Sequence, residues 1–208
     1  MEPVNSFKAH PWHGVSVGPN PPHLVNVYVE IVPTDTVKYE IDKESGHLTV
    51  DRPQKYSNYC PALYGFIPRT YCGAGVGAFC DAQTRRSGIR GDGDPLDICV
   101  LTEKTITHGD LIVRAVPIGG LRMIDKGEAD DKLIAVLESD AAYGSITQLE
   151  QCPPALIERL RHYFLTYKQL PTESERRVEI TDVYGADEAR RVVEISMQDY
   201  QREILSVK

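Results

Sequence analysis

A chain of 208 residues, 41% hydrophobic and 25% charged, is long enough for one sizeable domain and sits near the globular average. That excludes both a disulfide-stapled mini-protein and an intrinsically disordered chain. Lys and Arg number 23 against 30 Asp and Glu, a formal charge of −7, so no global positive field exists to hold nucleic acid or an anionic membrane. A polyanionic ligand must be held locally or through metal.

No uninterrupted apolar run approaches the ~18 residues of a membrane span. The start, MEPVNSFKAHPWHGVSV, has no apolar stretch behind a basic head, so the expected location is cytoplasmic. The cysteines Cys60, Cys72, Cys80, Cys99 and Cys152 are odd in number and contain no CxxC spacing, which fits reduced thiols. Cys72 and Cys80 flank a glycine-rich stretch where a zinc site is conceivable, although two ordinary thiols are the better reading.

Residues 1–23 hold Pro11, Pro21, Pro22, Trp12 and three histidines without periodicity, and read as an irregular arm over a body. Val25, Val27, Val29 and Ile31 alternate with Asn26, Tyr28 and Glu30, the period of a strand with one buried face. Past Pro33-Thr34-Asp35, residues 37–41 alternate again and project Lys38 and Glu40 from one face. Ser45-Gly46 turns the chain into a third strand, Leu48 to Arg52. Residues 69–91 carry five glycines and four arginines and little to bury. They predict an inserted loop or protruding hairpin, with Arg85, Arg86 and Arg90 either solvated or gathered on an anion.

Short Val-, Ile- and Leu-rich segments predict further strands at 98–101, 111–118, 133–138 and 178–181. Helix enters late: Leu156, Leu160, Tyr163, Tyr167 and Leu170 form one face behind Pro153-Pro154, ending at Pro171. A second helix is expected over 187–200. Many short strands without intervening helices predict a barrel, closed or half closed, with C-terminal helices outside. No repeat or linker divides residues 1–208, which read as one domain.

Asp92-Gly93-Asp94-Pro95-Leu96-Asp97 places three carboxylates around a Gly and a Pro, which bend the backbone so that the side chains can converge. Their mutual repulsion is relieved by a hard, oxygen-seeking cation such as Mg²⁺. An EF-hand is excluded by Leu96 and Asp97 at the fifth and sixth loop positions. A solvated acidic turn is the bland alternative, disfavoured because Asp97 directly precedes a core strand. Asp125-Lys126-Gly127-Glu128-Ala129-Asp130-Asp131-Lys132 is a second acidic cluster, with Asp130 and Lys132 on the same side of an extended chain. Taken alone it reads as an exposed charged turn. Lys38, Arg52, Lys132 and Lys168 are possible donors to phosphate oxygens, as are the phenols Tyr64 and Tyr167. Spacing alone does not bring them together.

The run VEIVPTDTVKYEIDKESGHLTVDR (Val29 to Arg52), DGDPLD at 92–97, DKGEADDK at 125–132 and HYFLTYK at 162–168 together resemble soluble family I inorganic pyrophosphatases. The resemblance implies an α+β, mainly β fold: a closed oligonucleotide/oligosaccharide-binding-like (OB-like) barrel with two C-terminal helices packed outside. It also implies Mg²⁺-dependent hydrolysis of inorganic diphosphate to two phosphates, with several Mg²⁺ ions per site. Asp92, Asp97 and Asp130 would hold the principal ions, Asp125 and Glu40 further ions, with Glu30 at the rim. Asp94 would be the general base. Lys38, Arg52, Tyr64, Lys132, Tyr167 and Lys168 match the positions that grip the phosphates. A homo-oligomer is implied, a hexamer ahead of a dimer, with His162 near a subunit contact and Thr166 where relatives often carry a second histidine.

The chain departs from the family pattern Tyr-Pro-x-Asn-Tyr-Gly, reading Cys60-Pro61-Ala62-Leu63-Tyr64-Gly65, and it carries the 69–91 insertion, which short bacterial members lack. Expected partners are pyrophosphate and further copies of the chain, with no nucleic acid and no membrane. The rival reading, a single-strand nucleic-acid module on the same barrel, is opposed by the negative charge and by only four Phe and one Trp. A fold that has lost catalysis is opposed by the intact aspartate motif.

Overall fold

Val25, Val27 and Val29 are fully buried, as their alternation predicts, yet Tyr28 and Glu30 between them are buried as well. The first strand is therefore covered on both faces. In the computed structural model, which describes residues 8–168 and 178–206, the strands are β1 (Val25–Ile31), β2 (Val37–Ile41), β3 (Leu48–Pro53), β4 (Leu63–Phe66), β5 (Arg90–Gly91), β6 (Asp97–Leu101), β7 (Leu111–Asp125), β8 (Glu128–Ala129), β9 (Lys132–Leu137) and β10 (Val178–Gly185). Three α-helices accompany them: α1 (Ala74–Thr84), α2 (Pro154–Thr166) and α3 (Ala186–Asp199), the last running into a π-helical turn at Tyr200–Leu205.

The main sheet is mixed and runs β1-β4-β6-β9-β7, with β1 pairing β7 as well as β4. β6 and β9 are parallel neighbours, whereas the other pairs along this path are antiparallel. Period-two alternation sorts the core. Ile98, Val100, Leu133 and Ala135 join the cluster under α1 and α3, whereas Cys99, Leu101, Ile134 and Val136 join the cluster under α2. β2 and β3 form a separate hairpin.

Four differences from the sequence-based expectations have physical causes. β4 escapes a pattern search because it is four residues long. β7 continues past the Gly119-Gly120 pair, which reads as a turn, because Tyr184 of β10 lies directly on Gly120. A Cβ there would come 2.5 Å from the Tyr184 hydroxyl oxygen. Residues 74–84 are helical, not a loop or hairpin. The glycines of this insertion permit close approach: a Cβ on Gly91 would lie 2.0 Å from the Cys72 carbonyl oxygen. Lastly, α2 ends at Thr166, while Leu170 and Pro171 lie outside the described residues.

The insertion is packed, and two of its arginines pair within the protein. Val76 and Cys80 enter the core with Phe79 alongside. Arg86 pairs with Glu179, and Arg90 with Glu128 at 3.3 Å, so these two cations are spent on the protein's own carboxylates. Buried Arg122 joins the insertion to α3. It lies over the rings of Phe79 and Tyr184, 2.7 Å from Glu188 and 3.4 Å from Asp131. All five cysteines are free and buried. Burial pushes the Cys80 thiol up to about 11, in keeping with ordinary core thiols. The described part of the arm, from residue 8 on, contains no helix and is anchored by Trp12, whose Nε1 donates to the Thr70 carbonyl at 2.8 Å.

Asp140 closes the turn after β9. Its carboxylate accepts from Thr102 Oγ1 at 2.6 Å and from the amides of Glu103, Ala142 and Tyr143 at 2.8–2.9 Å. Although burial opposes them, these bonds hold the carboxyl down at about 2, so its contribution is complete above the ordinary carboxylate range and is lost as pH falls toward 2. Asp140→Ala is expected to cost about 1–3 kcal/mol at neutral pH. Denaturant titrations at pH 7 and at about pH 2.5 check this, with the gap between variant and parent narrowing in acid.

Candidate active site

The parallel pairing of β6 with β9 sets Ile98 opposite Leu133, which brings Asp97 and Lys132, one residue earlier on each strand, side by side. Alternation then turns Asp130 to the same side as Lys132. The Lys132 ammonium touches the carboxylates of both Asp97 and Asp130 and sits over the rings of Tyr64 and Phe164, 5.8 Å from each centroid. Tyr64, from β4, donates its hydroxyl to Asp97 Oδ2 at 2.6 Å.

Two loops bring in the other aspartates. In the first, Gly93 adopts φ +78°, the left-handed region that glycine enters without strain, and Asp94 N donates to Asp92 Oδ1 at 3.0 Å. In the second, β7 turns into β8 through Lys126 (φ 52°) and Gly127 (φ 84°), a two-residue hairpin with both central residues left-handed. Asp125 and Glu128 are paired across it. The end of α2 delivers Tyr167 and Lys168, the latter in contact with Asp125. The β2–β3 hairpin adds Lys38, hydrogen-bonded to Glu40 Oε2 at 2.9 Å and Asp51 Oδ2 at 2.8 Å.

These elements surround one pocket. Glu30, Lys38, Glu40, Tyr64, Asp92, Asp94, Asp97, Asp125, Asp130, Lys132, Tyr167 and Lys168 all line it, and Arg52 does not. Arg52 stands opposite Lys38 in the hairpin register, with its Nη1 donating to the Pro53 carbonyl at 3.4 Å. Glu30 is not at the rim. It is 5% exposed and accepts from Ile41 N at 2.8 Å. Two further charged residues line the pocket without having been singled out, Lys43 and Glu128. Lys43, from the tip of the β2–β3 hairpin, contacts the Asp94 carboxylate. Both lie inside the matched motifs, and only the folded geometry turns them inward.

The electrostatics favour a cation. Burial, reinforced by the charge of Asp130, pushes the Asp92 carboxyl up to about 9, and burial pushes Glu30 up to about 8. Burial also raises Asp130, against the pull of Lys132. Carboxyls held this high are ones that a bound cation would return to the ionised form. Asp125 Oδ1 is buried with no hydrogen-bond partner, an acceptor left over once Lys168 has taken the other oxygen. Burial opposes charge on Lys132, but Asp130 and Asp97 outweigh it and hold its pKa well above the usual range. Among the described residues no three Asp, Glu, His or Cys side chains converge as a ready-made cation cage, because lysines stand between the carboxylates. The residues nonetheless fit Mg²⁺ as a donor set of hard oxygens with one orphaned acceptor.

Eight carboxylates interleaved with four lysines line the pocket. A model of the family described as inorganic pyrophosphatase matches residues 27–201. A protein of Chlamydia trachomatis named inorganic pyrophosphatase is 50% identical over 196 residues, covering 92% of this chain and 94% of that protein. Soluble inorganic pyrophosphatase 3 of Arabidopsis thaliana is 37% identical, covering 96% and 82%. Among solved structures, an inorganic pyrophosphatase from Thermus thermophilus superposes with a TM-score of 0.76 at 26% identity, over 93% of this chain and 99% of that one. The chain belongs to the inorganic pyrophosphatase family and is an inorganic diphosphatase, a hydrolase.

Removing the Lys132 ammonium would leave Asp97 and Asp130 facing each other in a buried wall. Lys132→Ala is expected to cost about 3–5 kcal/mol. Added Mg²⁺ should raise the melting temperature of this variant more than that of the parent, since the cation takes over the missing charge. Paired thermal melts with and without Mg²⁺ decide this, and an equal rise in both proteins counts against a cation site between these carboxylates.

Proposed function

We propose that the pocket hydrolyses inorganic diphosphate to two phosphates with Mg²⁺ as cofactor, and that residues 1–208 form one catalytic domain on an OB-like barrel. The observation that carries the reading is the meeting of both aspartate loops, the β2–β3 hairpin and the end of α2 in one pocket. The return of the strand pairing from β7 to β1 supports the barrel.

Asp92, Asp97 and Asp130 would hold the principal ions, Asp125 and Glu40 further ones, and Glu30 the carboxylate layer behind them. Bound Mg²⁺ would neutralise diphosphate oxygens and lower the pKa of a coordinated water. Asp94, with 41% of its side chain exposed, would take the proton of the attacking water, with Lys43 as its counter-charge. Lys38, Lys132 and Lys168 donate to phosphate oxygens and stabilise the charge that develops on the leaving phosphate. Tyr64 and Tyr167 serve as neutral donors, because burial holds both phenols above their ordinary pKa. Arg52 would reach the phosphates only by swinging in from the hairpin. The chain would work in the cytoplasm as a homo-oligomer, a hexamer ahead of a dimer. Exposed His162 on α2 would lie near the subunit contact.

Phosphate release from pyrophosphate should require divalent metal, and full activity in excess chelator would overturn the reading. Ca²⁺ should not match Mg²⁺, because the larger ion accepts looser geometry. Asp94→Asn should lower turnover by roughly 10² or more with the fold retained, and near-normal turnover would remove Asp94 as the base. Lys38→Ala and Lys168→Ala should impair pyrophosphate handling while calorimetric Mg²⁺ binding persists. Light scattering at neutral pH tests assembly, with a monomer contradicting it.

A further inference from the structure

The insertion between β4 and the first aspartate loop has no part in the chemistry above, yet it is tied to both loops. At its start Cys72 N donates to the Asp94 carbonyl at 2.8 Å, and Gly93 N donates to the Cys72 carbonyl at 3.0 Å. At its end Arg90 N donates to the Gly127 carbonyl at 3.3 Å, and β5 pairs in parallel with β8. Between these ties stands α1. The opening N–H groups of a helix have no partner within it, and here a remote carboxylate takes them. Asp199 Oδ2 accepts from Gly73 N at 3.2 Å and Val76 N at 2.9 Å, and Oδ1 accepts from Gly75 N at 3.1 Å. Glu203 takes the remaining amide, that of Ala74, at 3.0 Å.

Asp199 is the last residue of α3 and is fully buried. Its Oδ1 also accepts from Arg202 at 2.7 Å. Gly75 is required beneath it, since a Cβ there would come 2.5 Å from Asp199 Oδ1. The path to the pocket is short. Asp199 fixes the amide of Gly73, Gly73 follows Cys72, and Cys72 bonds through its backbone to both Gly93 and Asp94. Among the described residues the Asp94 side chain is braced only by Lys43, a long and half-exposed residue, so the aim of this carboxylate is set by its backbone.

We infer that Asp199 is a positioning residue for the Asp92–Asp97 loop, acting through the start of α1. The inference rests on the diphosphatase reading of that loop. A displacement of about 1 Å at such a site is enough to cost turnover on the order of 10²-fold. The competing role, stabilising α1 and nothing more, predicts a loss of stability without a loss of metal affinity.

The test uses the full chain with Asp199→Asn, Gly75→Ala and, as control, Asp140→Ala, which removes a carboxylate with a similar set of backbone bonds at a turn that does not line the pocket. Gly75→Ala keeps the Asp199 carboxylate and gains helix propensity while its Cβ crowds Asp199 Oδ1, so it perturbs the same amides without deleting the charge. Mg²⁺ binding is measured by calorimetry without pyrophosphate, alongside melting temperature, kcat and KM. Weakening of Mg²⁺ binding by threefold or more and a fall in kcat of about tenfold, with KM for magnesium pyrophosphate within twofold, are expected for Asp199→Asn and Gly75→Ala. Asp140→Ala should melt earlier and keep both its Mg²⁺ affinity and its kcat. Unchanged Mg²⁺ binding and kcat in the folded Asp199 and Gly75 variants would overturn the inference, as would an equal shift in Asp140→Ala. A parent that neither binds Mg²⁺ nor hydrolyses pyrophosphate would instead overturn the diphosphatase reading itself.

Discussion

Everything in the pocket depends on keeping like charges together in a wall that excludes most of the water. Asp97 and Asp130 tolerate each other because Lys132, itself 2% exposed, is placed between them by the parallel register of β6 and β9. A buried ammonium without those carboxylates would be driven toward neutrality, and the carboxylates without it would take up protons. Neither side is tenable alone. The rings of Tyr64 and Phe164 complete the arrangement by lying beside the Lys132 ammonium, with Tyr167 packed edge-on against Phe164.

The same balance is repeated with shorter reach around the mouth. Lys168 meets Asp125, Lys43 meets Asp94, and Lys38 meets Glu40 and Asp51. Lys38 and Lys43 come from the β2–β3 hairpin, Lys168 from the end of α2 and Lys132 from β9, so the pocket is held together by the fold as a whole. A pocket of this kind is poorly suited to a simple anion, which the surplus of carboxylates over lysines would repel. A ligand carrying both signs answers every group at once, and a metal-complexed diphosphate is such a ligand.

The insertion changes how this chain supports the site. Its start is stitched to the first aspartate loop and its end to the second, and its helix is pinned by α3 through Asp199 and by Arg122 packed on Phe79. Arg122 in turn reaches Asp131, the residue between Asp130 and Lys132, whose carboxylate also accepts from the Tyr184 hydroxyl at 2.8 Å. Asp131 points away from the pocket and is gripped from behind, while its two neighbours point in. The support behind the wall is thus as polar as the wall itself.

Much of this was legible before any coordinates. Alternation located β1 and β2, the Ser45-Gly46 turn located β3, and short Val-, Ile- and Leu-rich runs located β6 and β9, each to within a residue or so. The aspartate loops announced themselves through residue types that make little sense unless something relieves their repulsion. Sequence reading failed where a residue's meaning depends on a distant partner. The glycines of 73–91 resemble a loop until Asp199 and the Cys72 carbonyl are seen to occupy the space a Cβ would need. Arg52 belongs to the matched motif and stands opposite Lys38 in the hairpin, yet its side chain donates to the Pro53 carbonyl and does not line the pocket. Glu30 alternates outward on paper and is buried in fact, since β1 is covered on both faces.

By itself, then, the sequence determined the chemistry available: hard oxygen donors, a few fixed cations, no surplus positive field and no disulfide framework. These follow from residue identity and local spacing, which no fold can alter. Tertiary structure alone decided which charges face one another, because that depends on strand register and on the parallel pairing of segments some 35 residues apart. It decided that Lys43 guards Asp94 and that a carboxylate at the end of α3 braces a loop more than 100 residues earlier in the chain. Contacts of such separation leave no periodic trace, and only the closing of the chain on itself brings them into being.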